Sequence, residues 1–470
     1  MTVQEKIEGW MTGREEELVA ALAALVAVDS TLGTPAPGCP FGEGPKKALD
    51  AALAQAAQWG LTVSQDEGYV GMADLNSLPD RLHVLAHLDV VGVGKGWRTD
   101  PFTLVRRGDL VYGRGVQDDK GPAVAAMLAM RCVRELGLPL SGNVRLILGT
   151  DEETDSRDIA HYYAHHPFAP HALTPDACFP VINIEKARYA PTFGTTWPAQ
   201  PSAPGHVSRI QGGTCINVVP GSCTAQIVGL SREQVEEQLQ RVQAETAVDF
   251  KVTKWKNGVT VTASGMSTHA AWPDVGRNAI SAMLRLLCAL PLAEDAASKA
   301  IRTLYRLFPY GDSWGRSLGI AKSDSVSGVL TLAFSILELD ETGFRASFDV
   351  RAPLCATEEN TRRPVEQAMQ EAGWYCTGEM GPAHAVDENS DFVRTLLRSY
   401  ERYTGRKGEC IAIGGGTYVH DIPGGVAFGM EYPGWDYHMH AEDEFLPLDQ
   451  FLDNTRMMAA AILRICGEGD

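Results

Sequence analysis

Apolar positions recur at helical spacing over residues 4–28 and again over 46–58, with charged and polar residues filling the other face. A largely aliphatic run at 81–86 then leads directly into His87 and predicts a strand. Helical spacing resumes at Pro122, a residue favoured in the first turn, and continues over 123–136. The runs Val144-Arg145-Leu146-Ile147-Leu148 and 179–184 predict two more strands, the first closed by Gly149. Such alternation predicts an α/β domain with a mainly parallel sheet and helices on its faces. Ligands bind beyond the carboxyl ends of strands in such sheets, and His87 and Glu152-Glu153 fall at two of those ends.

Around 188–206 the chain turns to Pro, Thr and Trp with little periodicity. Strand patterns then appear near 224–228, 250–254, 259–263, 329–337 and 343–350, with helical patterns near 232–246 and 277–290. The tail returns to the first style, with a helix at 387–403, strands at 408–413 and 426–430, and a helix at 448–466. Two domains are therefore expected: residues 1–186 plus 385–470, and an α+β domain over 187–384 inserted into the first.

Composition narrows the function. A net charge of −18 over 470 residues argues against nucleic acid and against an anionic membrane surface as partners. Ten cysteines without a CxxC pair read as reduced thiols of a cytosolic protein. The N-terminal stretch lacks a basic segment, and its apolar run at 18–28 follows Glu15-Glu16-Glu17, so it reads as an amphipathic helix rather than a signal peptide.

The chemistry starts from Gly149-Thr150-Asp151-Glu152-Glu153. Two adjacent carboxylates at a strand end repel and raise each other's pKa, so a cation is expected nearby. Further imidazoles and carboxylates stand in His87-Leu88-Asp89, in Gly113–Gly121 with Asp118-Asp119, in Pro175-Asp176-Ala177 and in His438-Met439-His440-Ala441-Glu442-Asp443-Glu444. Singly, each has an ordinary explanation: a core histidine, a turn, or an acidic helix start favoured by the dipole. Together, at element ends of one domain, they point to a site for Zn²⁺, with Mn²⁺ or Co²⁺ also suited to these donors.

These segments resemble the signature of the di-zinc metallopeptidase family that contains PepV-type dipeptidases, carnosinases, carboxypeptidase G and succinyl-diaminopimelate desuccinylase. The likeness to the PepV type covers essentially the whole chain. It implies two divalent metal ions bridged by Asp118, with His87 and Asp176 completing one site and Glu153 and His440 the other. His440 is preferred to His438 because a Glu follows it at the family's spacing, here Glu444. Asp118 is preferred to Asp119 by its place two residues before Lys120, and the family's cis peptide would fall at Asp118–Asp119. Asp89 would orient His87. With three carboxylates and a bridging hydroxide the metal core is neutral, which leaves Glu152 free as general base.

For the inserted domain the resemblance implies a lid. Asn217 and His269 would stabilise the oxyanion, and Arg351 would clamp the substrate carboxylate. Gly415, Gly416 and Thr417, in Gly414-Gly415-Gly416-Thr417, would form an anion cradle. The chain departs from PepV-type relatives at His420, where they carry Arg, and at Gly92, where they carry Pro. The implied activity is two-metal hydrolysis of dipeptides with a free C-terminal carboxylate by a cytosolic monomer. The rivals are an N-acyl-amino-acid amidohydrolase or carboxypeptidase on the same scaffold, and a non-catalytic metal-dependent binding protein.

Overall fold

The computed structural model describes residues 1–199 and 203–467, and the chain divides into two compact units. The first comprises Met1–Ile184, His384–Ile411 and Gly416–Asp470; the second comprises Glu185–Ala383 and Ala412–Gly415. Ala412–Gly415, which the sequence places with the tail of the first domain, is tied to the second unit by the backbone. Arg351 Nη1 donates to the Gly414 carbonyl at 2.6 Å, and Lys186 N donates to the Ile413 carbonyl at 2.9 Å.

The sheet of the first unit runs in the order Thr62–Asp66, Val70–Asp74, Asn143–Gly149, Asp80–His87, His171–Thr174, Gly425–Ala427, Val181–Glu185, His384–Ala385, and Cys410–Ile413 also pairs with Val181–Glu185. The strands from Asn143–Gly149 to Gly425–Ala427 pair in parallel. Thr62–Asp66, Val70–Asp74 and Val181–Glu185 pair antiparallel, so the sheet is mixed with a parallel centre. Both faces are covered. Leu82, Val84 and Ala86 pack into a core with helices Lys120–Leu136 and Leu448–Cys466, while Leu85 and Ile147 face Ile159, Tyr162 and Val419 on the other side. Burial on both faces explains the near-continuous apolar strands.

The second unit is an antiparallel sheet whose central strands are Ser222–Val228, His206–Gly212, Thr331–Asp340 and Gly343–Ala352. One face packs on helices Arg232–Thr246, Ala279–Leu287, Ala296–Leu307 and Arg363–Glu371. Ser222–Val228 shows the matching alternation of covered and open positions.

Several elements differ from expectation. The helix expected over 4–28 is two helices, Val3–Met11 and Glu15–Val26, interrupted where Gly13 takes φ 79°. The helix expected to begin at Pro122 begins at Lys120; the missing N–H of Pro122 falls among first-turn donors that have no intrahelical acceptor. The strand expected over 426–430 is split into Gly425–Ala427 and Met430–Glu431 around Gly429, at φ 80°. Helices Arg157–His165, Ala296–Leu307 and Arg363–Glu371 were not anticipated. The Asp118–Asp119 peptide is cis, as the resemblance implies. All ten cysteines are free, and no helix among the described residues is long and apolar enough to cross a membrane.

Candidate metal centre

Three parallel strands of the first unit end side by side. His87 is in register with Gly149, and Val84 with Leu173, so His87, Glu152-Glu153 and Asp176 emerge at one sheet edge. A small sheet adds the rest. Phe445–Pro447 pairs with Leu110–Tyr112, which brings the loop carrying His440 against the loop that runs from Gly113 to Asp118.

The five ligands expected from the resemblance meet here. His87 Nε2 lies 3.0 Å from Asp118 Oδ1 and 3.5 Å from Asp176 Oδ2. His440 Nε2 lies 2.9 Å from Asp118 Oδ2 and 3.1 Å from Glu153 Oε2. The Asp118 carboxylate therefore sits between two imidazoles, one oxygen toward each. Asp119 turns away and accepts the His87 amide at 2.9 Å. His438 faces the Glu442 carbonyl at 3.2 Å. Two triads, His87–Asp118–Glu153 and His87–Glu152–Asp176, hold their ligating atoms within 4.8 Å of one another.

Asp89 acts more broadly than the sequence suggests. The nearest partner of His87 Nδ1 is the Asp89 backbone carbonyl at 3.0 Å, with the carboxylate at 3.4 Å. The carboxylate oxygens instead accept the Glu152 and Glu153 amides at 3.2 and 3.1 Å. One buried residue thus fixes both the imidazole and the two glutamates.

Two supports were not recognised in the sequence. Buried Glu444 accepts from Arg114 Nη1 at 2.8 Å and from the amides of Gly115, Gln117 and Asp118 at 3.0, 2.9 and 3.2 Å. Its spacing from His440 was the available signal. Asp158 Oδ2 accepts the Thr150 and Asp151 amides at 2.5 and 2.9 Å and the Tyr418 hydroxyl at 2.6 Å, which holds the glutamate loop from the other side. A Cβ at Gly149 would stand 1.9 Å from that hydroxyl, so the strand must end in glycine.

Electrostatics favour a cation. Burial and then the Asp118 charge push Glu153 up to about 7. Burial holds Glu152 and Asp119 well above the ordinary carboxylate range and raises Asp176. Burial would also raise Asp118, but hydrogen bonds with His440 and His87 outweigh it and hold the carboxyl low. Hydrogen bonds to Asp118 and Glu153 push His440 up to about 11. The cluster takes up positive charge wherever it can, the behaviour of a cation site. Glu153 Oε1 is buried and has no hydrogen-bond partner among the described residues. The donors are imidazole nitrogens and carboxylate oxygens, a set that fits Zn²⁺, Mn²⁺ or Co²⁺.

The other expected residues lie in or beside the second unit. Val218 pairs with His269, and the Asn217 carbonyl accepts the Ala270 amide at 2.8 Å, so Asn217 and His269 are neighbours. His269 Nδ1 accepts the Ala271 amide at 3.2 Å, which places the proton of a neutral ring on Nε2. Arg351 is buried and bound side-on by Asp349, with Nε to Oδ1 at 2.6 Å and Nη2 to Oδ2 at 3.1 Å. Asp349 was missed, although it precedes Arg351 by two residues on one strand face. The glycine run straddles the units: Gly415 belongs to the second, Gly416 and Thr417 to the first. None of Gly414, Gly415 and Gly416 has a left-handed backbone. Gly414 is required by packing, because a Cβ there would stand 2.9 Å from the Ala271 Cβ. Thr417 Oγ1 caps the short helix Tyr418–Asp421.

Residues 83–464 match Peptidase family M20/M25/M40. The chain belongs to this family. This metallopeptidase is 33% identical over 458 residues to the putative dipeptidase YtjP of Bacillus subtilis (strain 168), covering 96% of this chain and 98% of that protein. It is 28% identical over 458 residues to the Beta-Ala-Xaa dipeptidase of Lactobacillus delbrueckii subsp. lactis, covering 96% of each. Among solved structures, the aminoacylhistidine dipeptidase of Vibrio alginolyticus shares its fold, with a TM-score of 0.59 at 14% identity over 96% of this chain and 97% of that one.

Removing the Asp89 carboxylate from this M20 metallopeptidase tests the support described above. In Asp89→Ala the metal affinity falls about 10–100-fold, as for other partners that orient ligands. Titration of metal-free protein with Zn²⁺ checks it; unchanged affinity would mean that the ligands hold themselves.

Proposed function

We propose that this metallopeptidase hydrolyses dipeptides with a free C-terminal carboxylate, using two divalent cations. The observation that carries this reading is the Asp118 carboxylate held between His87 and His440, at 3.0 and 2.9 Å, with Asp176 and Glu153 beside them. His87, Asp118 and Asp176 would hold one cation; Asp118, Glu153 and His440 would hold the other. When bound, the cations polarise the scissile carbonyl and acidify the attacking water.

The chain's own groups supply the rest. Glu152, half-buried and with its pKa raised, takes the proton from the attacking water and returns it to the leaving amine. Asp89 holds the Glu152 amide at 3.2 Å and so sets where that carboxyl points. In the second unit, His269 Nε2 and Asn217 offer donors to the developing oxyanion, and Arg351 offers its fork to the substrate carboxylate. The names of the Bacillus and Lactobacillus relatives support dipeptides as substrates. Free thiols throughout support a reducing, cytosolic setting.

A second reading makes Glu152 a ligand, because its carboxyl groups with His87 and Asp176 within 4.8 Å. Metal content of a Glu152 variant separates the two.

The test is a dipeptide panel on metal-free protein reconstituted with Zn²⁺, Mn²⁺ or Co²⁺. Free dipeptides are cleaved after reconstitution, and N-acylated amino acids are not. The opposite selectivity would assign the chain to the amidohydrolases or carboxypeptidases of the same scaffold, and no cleavage at all would favour a binding protein.

A further inference from the structure

In the second unit, Arg351 has cross-strand neighbours on both sides. Arg188 is directly opposite it on Ala187–Tyr189, and Thr331 is directly opposite on Thr331–Asp340. Residues opposite one another in an antiparallel pair project to the same face, so Arg188, Arg351 and Thr331 form a row. Asp349, two residues before Arg351, shares that face.

Like charges placed directly opposite destabilise a sheet unless something compensates them. Here a single carboxylate serves two guanidinium groups. Asp349 is fully engaged by Arg351, at 2.6 and 3.1 Å, and is only 3.4 Å from Arg188 Nε. The Arg351–Asp349 pair is therefore neutral, and the surplus positive charge belongs to Arg188. Arg188 is also the accessible member, its side chain 49% exposed against 7% for Arg351. Lys186, two residues earlier, is occupied by the Val329 carbonyl at 2.7 Å.

Thr331 supplies an independent sign of a ligand. Its residue is 8% exposed, and its hydroxyl is buried with no hydrogen-bond partner among the described residues. A buried hydroxyl left unpaired is costly, and an anion accepting its proton removes that cost.

We propose that Arg188, Arg351 and Thr331 together form the carboxylate subsite, with Arg188 supplying its net charge and Asp349 orienting Arg351. The proposal rests on the dipeptidase reading above and deepens it. Arg351 keeps N–H groups on both Nη atoms after serving Asp349 and Gly414, which suits one carboxylate. A single carboxylate also cancels the charge surplus of the row.

The experiment compares kinetics of the metal-loaded full chain on a dipeptide and on the same dipeptide as its C-terminal amide. In Arg188→Gln, KM for the free dipeptide rises about tenfold, the loss of a charged hydrogen bond, while kcat changes little. The amide is a poor substrate for both proteins and is not worsened by the substitution. Arg188→Lys recovers part of the loss, and Thr331→Val raises KM for the free dipeptide roughly fivefold. Hydrolysis of free dipeptides with KM unchanged in Arg188→Gln overturns the subsite and leaves the dipeptidase reading standing. Failure of the unmodified protein to cleave any free dipeptide overturns the reading and the subsite with it.

Discussion

Replacing Glu152 with glutamine leaves the bound metal in place and lowers kcat by about 10²–10⁴-fold, the range for losing a positioned proton carrier. The substitution preserves shape, and the Asp89 clasp on the Glu152 amide is a backbone contact that it does not touch. What changes is proton affinity. Burial holds the Glu152 carboxyl well above the ordinary range, and the Asp176, Glu153 and Asp118 charges add to it, which suits a group that must take up and release a proton. Glutamine can do neither. Metal analysis and steady-state kinetics on the same preparation check the result. Near-normal turnover would remove Glu152 from proton transfer. Loss of metal would make it a ligand of the His87–Asp176 group instead.

Glu444→Gln has the largest expected effect on stability. Glu444 and Arg114 have side-chain exposures of 0% and 1%, and their 2.8 Å contact is a buried ion pair. Taking away one charge leaves the other buried without compensation, which typically costs ~3–5 kcal/mol. The amide also turns an NH₂ group toward backbone N–H donors, since all four partners of Glu444 donate. Denaturant unfolding measures the loss. Because two of those donors are the Gln117 and Asp118 amides, metal affinity falls in the same variant. A variant as stable as the parent, with unchanged metal affinity, would show that the loop before Asp118 holds its shape without Glu444.

Elements were legible where a local signal and the final packing agreed. Arg232–Thr246 and Leu448–Cys466 lie where their periodicity places them, the first started by a Ser231 capping box. The break between Val3–Met11 and Glu15–Val26 was hidden because both helices bury apolar faces in one core, so the apolar pattern continues across Gly13. The candidate metal ligands were legible through a resemblance in their segments; periodicity marked the strands that end at His87 and just before Glu152-Glu153, but no predicted element ends at Asp176 or His440.

The sequence by itself determined which residues could carry the chemistry: imidazoles and carboxylates at strand ends, and an arginine on a late strand. Only the tertiary structure decided how each is held. That Asp89 clasps both glutamate amides, that Glu444 ties the His440 loop to Asp118, and that Asp349 neutralises Arg351 beside Arg188 all depend on strand register or loop packing. Such contacts join positions as far apart as Asp118 and Glu444, and local periodicity carries no information about which distant strands become neighbours.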